Sequence, residues 1–440
     1  MVRVRICFLS RRYWPAVSGM SVYAENLIAQ LRAHGHDIAL ISQYRGDAAG
    51  SAVYGGGPPP AERVPEGVQV VGLESLGEQR VAEGLPADFE RDIAAMRDAV
   101  LRLHAEEPFD LVHAQYAWPT GMAALQAAAE LGLPSVISVQ GGDGHWVGLC
   151  CAEHSMGIRT VLDRADAVLI GSETFAQEVT EHHGTLPERY TLIGGATDTG
   201  AFTPGPDDRD AGELDRDGDG VTTLLFHGRV DRRKGVLDLL HALAALREEG
   251  RAVRLLVSGI GPDVDTVTEL IEQLGLQDAV EQTGYTPYTG APEIYRRGDV
   301  FVSPTQSEGF SNTILEAMAS GLPVVTTRTV GVVDCVQDGR NGLLHGVGDV
   351  EELVATLRRL LDDPPLARTL AAQALAEVRE KWSWPALTQR IEEVYDRVLG
   401  APGDTSWTLL PAAQRPTSSG RGVEPTDRAD CPYLTAPHLL

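Results

Sequence analysis

The 440-residue sequence predicts an α/β chain carrying two doubly wound parallel sheets. Three observations lead there. Short runs rich in Val, Ile and Leu alternate with helical patterns through the first half. An acidic segment then breaks the rhythm, and the rhythm restarts beyond it. The length exceeds one ordinary core and suits two domains of roughly 200 residues.

The first-half strands are read at RICFLS (5–10), DIALIS (37–42), VQVVGL (68–73), FDLVHA (109–114), SVISVQG (135–141) and ADAVLIGS (165–172). They lack strict alternation, as strands covered on both faces do. Helical stretches such as VYAENLIAQLRAHG (22–35), closed by a Gly stop, separate them. This βαβ order implies parallel pairing. GPDDRDAGELDRDGDG (205–220) carries seven acids and two Arg, and reads as an interdomain linker. TTLLFHGR (222–229), RLLVSG (254–259), DVFVSP (299–304) and PVVTT (323–327) are strands of the second sheet. Helices follow at VEELVATLRRLLDD (350–363) and WPALTQRIEEVYDRVL (384–399). The expected division is a domain over 1–204, the linker 205–220 and a domain over 221–383, followed by a helix over 384–400. Residues 401–440, rich in Pro, Ser, Thr and Gly, are expected to be a mostly disordered tail.

Composition narrows the function. A formal charge of -25 does not suit a nucleic-acid binder, whose phosphate contacts need a basic stripe. It also disfavours docking on anionic lipid, leaving at most weak peripheral association with a membrane. Only Lys234 and Lys381 interrupt an otherwise all-arginine set of 37 cations, so the position of a lysine is informative. Cys7, Cys150, Cys151, Cys335 and Cys431 are few and odd in number, and they form no CxxC. A reducing compartment without structural zinc is expected. The opening strand turns polar at RRYW, so no cleavable signal is expected. No apolar run approaches the roughly 18 residues of a spanning helix, and a soluble, cytoplasmic protein is expected.

Two similar halves suggest ligands beyond the carboxyl ends of the strands, in a cleft between the sheets. At FHGRVDRRKG (226–235) a strand delivers Arg229, and Lys234 follows before a helix. A guanidinium fork and an ammonium point charge together suit a diphosphate, although a solvated basic turn is the plainer alternative. At SPTQSEGFSNTILEAMASG (303–321), Glu308 lies in the loop and Glu316 on the helix, seven residues between them. Amides from Gly309, Phe310, Ser311, Asn312 and Thr313 at a helix start form an anion site. Glu316 has the two oxygens needed to grip a vicinal diol, or it completes a capping box with Thr313. A third junction, SRRYWPAVSGMSVYAEN (10–26), has the lone Gly19 and lacks the GxGxxG of a dinucleotide reader. There a backbone NH of Gly19 is free to approach a phosphate.

These residues carry a resemblance. EGFSNTILEAMASGLPVV (308–325) resembles the EX7E signature of the family 4 retaining glycosyltransferases, which have the GT-B fold. GRVDRRKG (228–235) is similar to that family's diphosphate motif. GVVDCVQDGRNGLLH (331–345) resembles a further family segment with Asp334 in place of Glu. SGIGP (258–262) and TGY (283–285) resemble its base-side loops, and DLVHAQ (110–115) and IGGATDTGAFTP (193–204) its N-terminal landmarks. The likeness spans roughly residues 1–400 and is more specific in the C-terminal half. It departs at Ser18-Gly19, Gln115, Gln140-Gly141 and Gly194-Gly195-Ala196; Gln140 stands where the family presents an imidazole.

The resemblance implies a nucleotide-sugar donor, with UDP the expected nucleotide, and a hexose or N-acetylhexosamine passed to a small hydroxylated acceptor. By this likeness Arg229 and Lys234 bind the diphosphate, assisted by Gly19 and the 310–313 amides. Glu308 holds the sugar hydroxyls, Glu316 the ribose diol, and Gly259 and Tyr285 flank the base. Catalysis falls to Glu308, Arg229 and Lys234, with retention and no metal or other cofactor. The 384–400 helix crosses back to the first domain. Acceptor candidates are His113, Gln140, Asp143 and His145, with a structural turn as the rival reading of the last two. Residues 1–200 hold 25 acids and 14 Arg, hence -11, which suits an amino sugar or aminocyclitol better than a phosphoinositide. Rival functions are a GT-B phosphorylase, a sugar-nucleotide epimerase, a non-catalytic sugar-nucleotide binder and a nicotinamide oxidoreductase.

Overall fold

The computed structural model describes residues 3–205, 211–215, 218–401 and 430–437. They form two compact units. One runs to Ile193 and resumes at Thr388; the other is Gly194 to Leu387.

The first unit holds a seven-stranded sheet of β1 (Arg5–Ser10), β2 (Asp37–Tyr44), β3 (Gln69–Glu74), β4 (Leu111–Gln115), β5 (Ser135–Val139), β6 (Ala167–Ile170) and β7 (Tyr190–Leu192). Their order is β3-β2-β1-β4-β5-β6-β7, every pair parallel. The central strands β4 and β5 are buried at every position, which is why their sequences run apolar without alternation. The helix Gly19–Ala33 starts on Ser18, whose Oγ accepts from Ser21 N at 3.2 Å. The helix Trp384–Leu399 packs on this unit from Thr388 onward. Arg390 donates to Ile193 O at 3.0 Å, and Glu392 Oε1 lies 2.8 Å and 2.9 Å from His34 Nδ1 and His36 Nε2.

The second unit holds β8 (Thr222–His227), β9 (Val253–Ser258), β10 (Val280–Gly284), β11 (Val300–Ser303), β12 (Val324–Thr327) and β13 (Leu343–His345). Their order is β10-β9-β8-β11-β12-β13, again all parallel. Chain order reverses between β8 and β11, so the loops leaving these two strands emerge side by side. That switch point is where doubly wound sheets hold ligands.

Three differences from expectation have physical causes. Strands β7, β10 and β13 went unread because they lie at sheet edges; two have three residues, and β10 exposes Glu281 and Gln282. The boundary falls at Ile193 rather than in the acidic segment. Residues 194–204 belong with the second unit because Phe202 is buried beside Tyr295 and Thr197 N bonds Trp382 O at 2.9 Å. The described part of the acidic segment folds locally: Asp215 accepts from the N–H groups of Asp219 and Gly220, each at 3.0 Å. Its residues 206–210 and 216–217 lie outside the described residues. The third correction concerns the tail. Residues 432–435 form a short helix with Cys431, Tyr433 and Leu434 buried, while 402–429 lie outside the described residues. No helix among the described residues is long and apolar enough to cross a membrane.

Candidate active site

The carboxyl end of β8 opens into Gly228-Arg229-Val230, and this loop is meshed backbone to backbone with the one after β9. Gly228 N bonds Ser258 O at 2.9 Å and Val230 N bonds Ile260 O at 2.9 Å. Gly259 has φ +150°, and a Cβ there would overlap Gly228 O. Only glycine fits such an approach. Gly259, expected beside the base, thus holds the Arg229 loop in place.

A short turn then presents Lys234. Its cap is Asp231, which accepts from Arg233 N at 3.0 Å and pairs with the guanidinium groups of Arg233 (2.7 Å) and Arg229 (3.3 Å). Burial opposes ionisation of Asp231, but the Arg233 hydrogen bonds and both positive charges hold its pKa down to about 2. Asp231 is therefore a fixed anion that aims two arginines. Gly235, φ +73°, comes so close to Pro304 that a Cβ would strike its carbonyl oxygen. Gln306 N bonds Arg233 O at 2.9 Å. The turn after β8 is thereby stitched to the loop after β11.

The consequence is one ion pair. Lys234 Nζ donates to Glu308 Oε1 at 2.7 Å. The side chains are 31% and 15% exposed, so both groups can reach a ligand. Glu308 itself is fixed by its backbone: its N–H donates to Val330 O at 3.1 Å, and Gly331 packs directly against its carbonyl.

The helix Asn312–Ala319 follows, with Ser311 as its N-cap residue and no side chain capping its amides. The capping-box reading of Thr313 and Glu316 does not hold, because the helix starts on Ser311 and places Glu316 beyond the frame of that motif. Glu316 instead turns inward, 6% exposed, and its Oε2 accepts from Tyr295 OH at 2.7 Å. Burial raises its pKa to about 7, with the Tyr295 hydrogen bond pulling the other way. His227, at the end of β8, packs edge-on against Tyr295 at 5.1 Å and bonds Ser258 Oγ at 3.1 Å. Burial lowers its pKa to about 4, so it is neutral at pH 7. Tyr285, beyond β10, is 43% exposed. Gly195 lies where a Cβ would meet Phe310 Cδ1 at 2.5 Å and Asn312 Oδ1 at 2.6 Å.

Arg229, Lys234, Glu308, the 309–313 backbone and Glu316 therefore converge at one switch point. Sequence reasoning missed His227, Tyr295, Asp231 and Gly195. The signals were present: a His ending a strand for the first, and a glycine pair where the family carries Pro-Asn-Gly for the last.

The first unit treats its candidates differently. His113 is wholly buried, with Nδ1 2.6 Å from Tyr395 OH and Nε2 2.9 Å from Ser138 Oγ. Both nitrogens are engaged and burial lowers its pKa to about 3. It is a strut of the core rather than an acceptor ligand. Asp143 is also fully buried and accepts from Ala117 N (2.8 Å), Gln140 N (3.0 Å) and Gly141 N (2.9 Å). The rival reading of a structural turn applies to it. His145 is 3% exposed and pairs with Glu178 at 2.8 Å, its ring on Phe175. These three corrections share one cause: each side chain is buried inside the unit. Gln140 differs. It is half-buried, and its Oε1 accepts from Gln115 Nε2 at 2.8 Å. Gln115 continues to Met20 O at 3.0 Å and accepts from Ser10 Oγ at 2.8 Å. This polar chain lies beside Gly19, around which there is open space.

Comparison with known proteins identifies the family. Residues 18–196 match the glycosyl transferase 4-like domain, and residues 216–376 match glycosyl transferases group 1. A D-inositol 3-phosphate glycosyltransferase of Frankia alni is 30% identical over 412 residues, covering 87% of this chain and 95% of that protein. A glycogen synthase of Mycobacterium tuberculosis is 26% identical over 404 residues, covering 89% and 94%. Among solved structures, a sucrose-phosphate synthase of Thermosynechococcus elongatus superposes with TM-score 0.70 at 21% identity, over 90% of this chain and 100% of that one. HepE of Anabaena, in complex with UDP and glucose, superposes with TM-score 0.69 at 19% identity, over 90% and 100%. Two parallel Rossmann-like sheets of this kind define the GT-B class. The chain belongs to the GT-B glycosyltransferases, its second unit being the group 1 glycosyl transferase domain.

Proposed function

We propose that this glycosyltransferase moves a hexose or N-acetylhexosamine from a nucleoside-diphosphate sugar, UDP being the nucleotide, to a hydroxyl of a small polar acceptor. The observation that carries the reading is the Lys234–Glu308 pair at the start of the Asn312–Ala319 helix, with Arg229 on the adjoining loop. An ammonium, a guanidinium and uncapped helix amides favour a diphosphate, and a carboxylate beside them favours sugar hydroxyls. HepE, solved in complex with UDP and glucose, supports the choice of nucleotide by likeness.

In the proposed reaction the bond between the anomeric carbon and the diphosphate oxygen breaks. Negative charge then grows on the leaving phosphate, where Arg229, Lys234 and the 311–313 amides receive it. The acceptor oxygen attacks the same face of the sugar, and its proton passes to the departing diphosphate. This outcome is retention, and it needs no side-chain base. The cations already supply the neutralisation a divalent metal would bring, so transfer proceeds without one. Glu316 takes the ribose diol in its ionised form. The acceptor sits with the first unit near Gln140, and its -11 charge over residues 1–200 favours an amino sugar or aminocyclitol.

The test is release of nucleoside diphosphate from a panel of donors, with and without candidate acceptors, and stereochemistry of the product by NMR. Release that depends on acceptor, with the donor's anomeric configuration kept, supports the reading. Inverted product, a strict metal requirement, or interconversion of the donor sugar without acceptor contradicts it.

A further inference from the structure

Three of the five cysteines converge outside the site described above. Cys150, Cys151, His154 and Cys431 each offer one ligand atom, and these four atoms all lie within 4.8 Å of one another. Cys150 Sγ is 2.9 Å from His154 Nδ1, and Cys431 Sγ is 3.5 Å from the same nitrogen. Cys151 and His154 are wholly inaccessible to solvent and Cys431 nearly so. Cys7 and Cys335, by contrast, belong to no such group of ligand-bearing side chains among the described residues.

We infer that this cluster is a Cys3His site for a structural Zn2+ ion. Three sulfurs and one imidazole nitrogen are a preferred zinc set, and four protein ligands leave no open position. Tetrahedral zinc, with bonds of about 2.3 Å to sulfur and about 2.0 Å to nitrogen, needs ligand atoms roughly 3.3–3.8 Å apart. The observed spread requires only small side-chain adjustments to reach that. Local structure favours the charged ligands too. Cys151 precedes the helix Ala152–Arg164 as its N-cap residue, where a thiolate is favoured. Beyond Cys431 the chain turns back on itself, Leu434 N donating to Cys431 O at 3.1 Å. Cys150 as a thiol lies 2.6 Å from Val147 O, and its proton leaves when metal binds.

The site has a clear job. His154 and Cys431 are 277 positions apart in sequence, yet their side chains meet. Ala87 N bonds Leu434 O at 2.8 Å, and Arg11 reaches Pro437 O at 3.4 Å. Three thiolates on one ion would pin residues 430–437 to the first unit, beside Arg11, Phe89 and Trp118. This departs from the zinc-free reading of the cysteines. Their spacing conceals the set, because the fourth ligand comes from a segment that reads as a disordered tail. The ion is structural and lies apart from the transfer chemistry.

The experiment is metal analysis of the full chain purified under reducing conditions without added metal or chelator. About one zinc per chain is expected. Cobalt substitution should give thiolate-to-cobalt charge transfer in the near ultraviolet and the intense visible bands of tetrahedral coordination. Cys431→Ser should lose metal to a chelator that the wild type withstands, while Cys335→Ser should not. Should Cys431→Ser fail to fold, the zinc content and cobalt spectrum of the wild type still decide. Substoichiometric metal with no cobalt bands overturns the inference. So does a disulfide between Cys431 and Cys150 or Cys151 in peptide mapping under non-reducing conditions.

Discussion

Lys234 Nζ lies 2.7 Å from Glu308 Oε1, although 74 residues separate them in the chain. The contact exists because β8 and β11 are neighbours at the point where strand order reverses. A partly exposed pair of this kind contributes only about 1 kcal/mol or less to stability. Its value is positional: each partner keeps the other extended toward the site the donor is proposed to occupy.

Lys234→Ala and Arg229→Ala are each predicted to lower kcat/KM by about 100- to 1,000-fold, the usual cost of one preorganised partner for developing charge. Melting temperature should hardly move. Because Lys234 and Glu308 touch, the Lys234→Ala/Glu308→Gln double variant should lose less than the sum of the singles, a coupling of about 0.5–3 kcal/mol. Steady-state kinetics on all four proteins check this.

Glu316 has its folded pKa raised to about 7 by burial, against an ordinary 4.5. The stability its protonated form contributes is complete below pH 4.5 and is lost as pH rises through 7. Gripping a ribose diol calls for the ionised form. Nucleoside-diphosphate binding should therefore tighten from pH 6 to pH 8 more in the wild type than in Glu316→Gln, measured by calorimetry at both ends.

His113 shows the opposite sign. Burial lowers its folded pKa to about 3, against about 6.5 unfolded. The stability held by its neutral form is complete above pH 6.5 and falls away as pH drops toward 3. His113→Gln should flatten part of the acid limb in urea unfolding without altering nucleotide binding. Tyr395→Phe, which leaves a buried ring nitrogen without its 2.6 Å partner, should cost about 1–3 kcal/mol.

Much of this was legible in sequence because central strands of a parallel sheet are buried on both faces. β1, β4, β8 and β11 announce themselves as apolar runs, and the loops after β8 and β11 carry Arg229, Lys234 and Glu308. Edge strands lack that signal. Side-chain partnerships are equally silent. Nothing in the local pattern tells that Glu316 points at Tyr295, that His113 and Asp143 are spent inside the core, or that Cys431 returns to His154.

Gln115 and Gln140 both depart from the family pattern, and they are hydrogen-bonded to each other at 2.8 Å. Two amides pair as donor and acceptor without titrating, where two imidazoles would compete for a proton. Gln140→Ala is predicted to raise the acceptor KM several-fold and to leave nucleoside-diphosphate affinity unchanged. Equal loss for donor and acceptor would assign Gln140 to the donor instead.

The most direct measurement is a thermal-shift and calorimetric panel of UDP, ADP and GDP with their sugars on the wild type, Arg229→Ala and Lys234→Ala. A clear shift with a uridine diphosphate ligand, abolished in both variants, is the predicted result. A shift of wild-type size in both variants would contradict a diphosphate held by the Arg229–Lys234 loop.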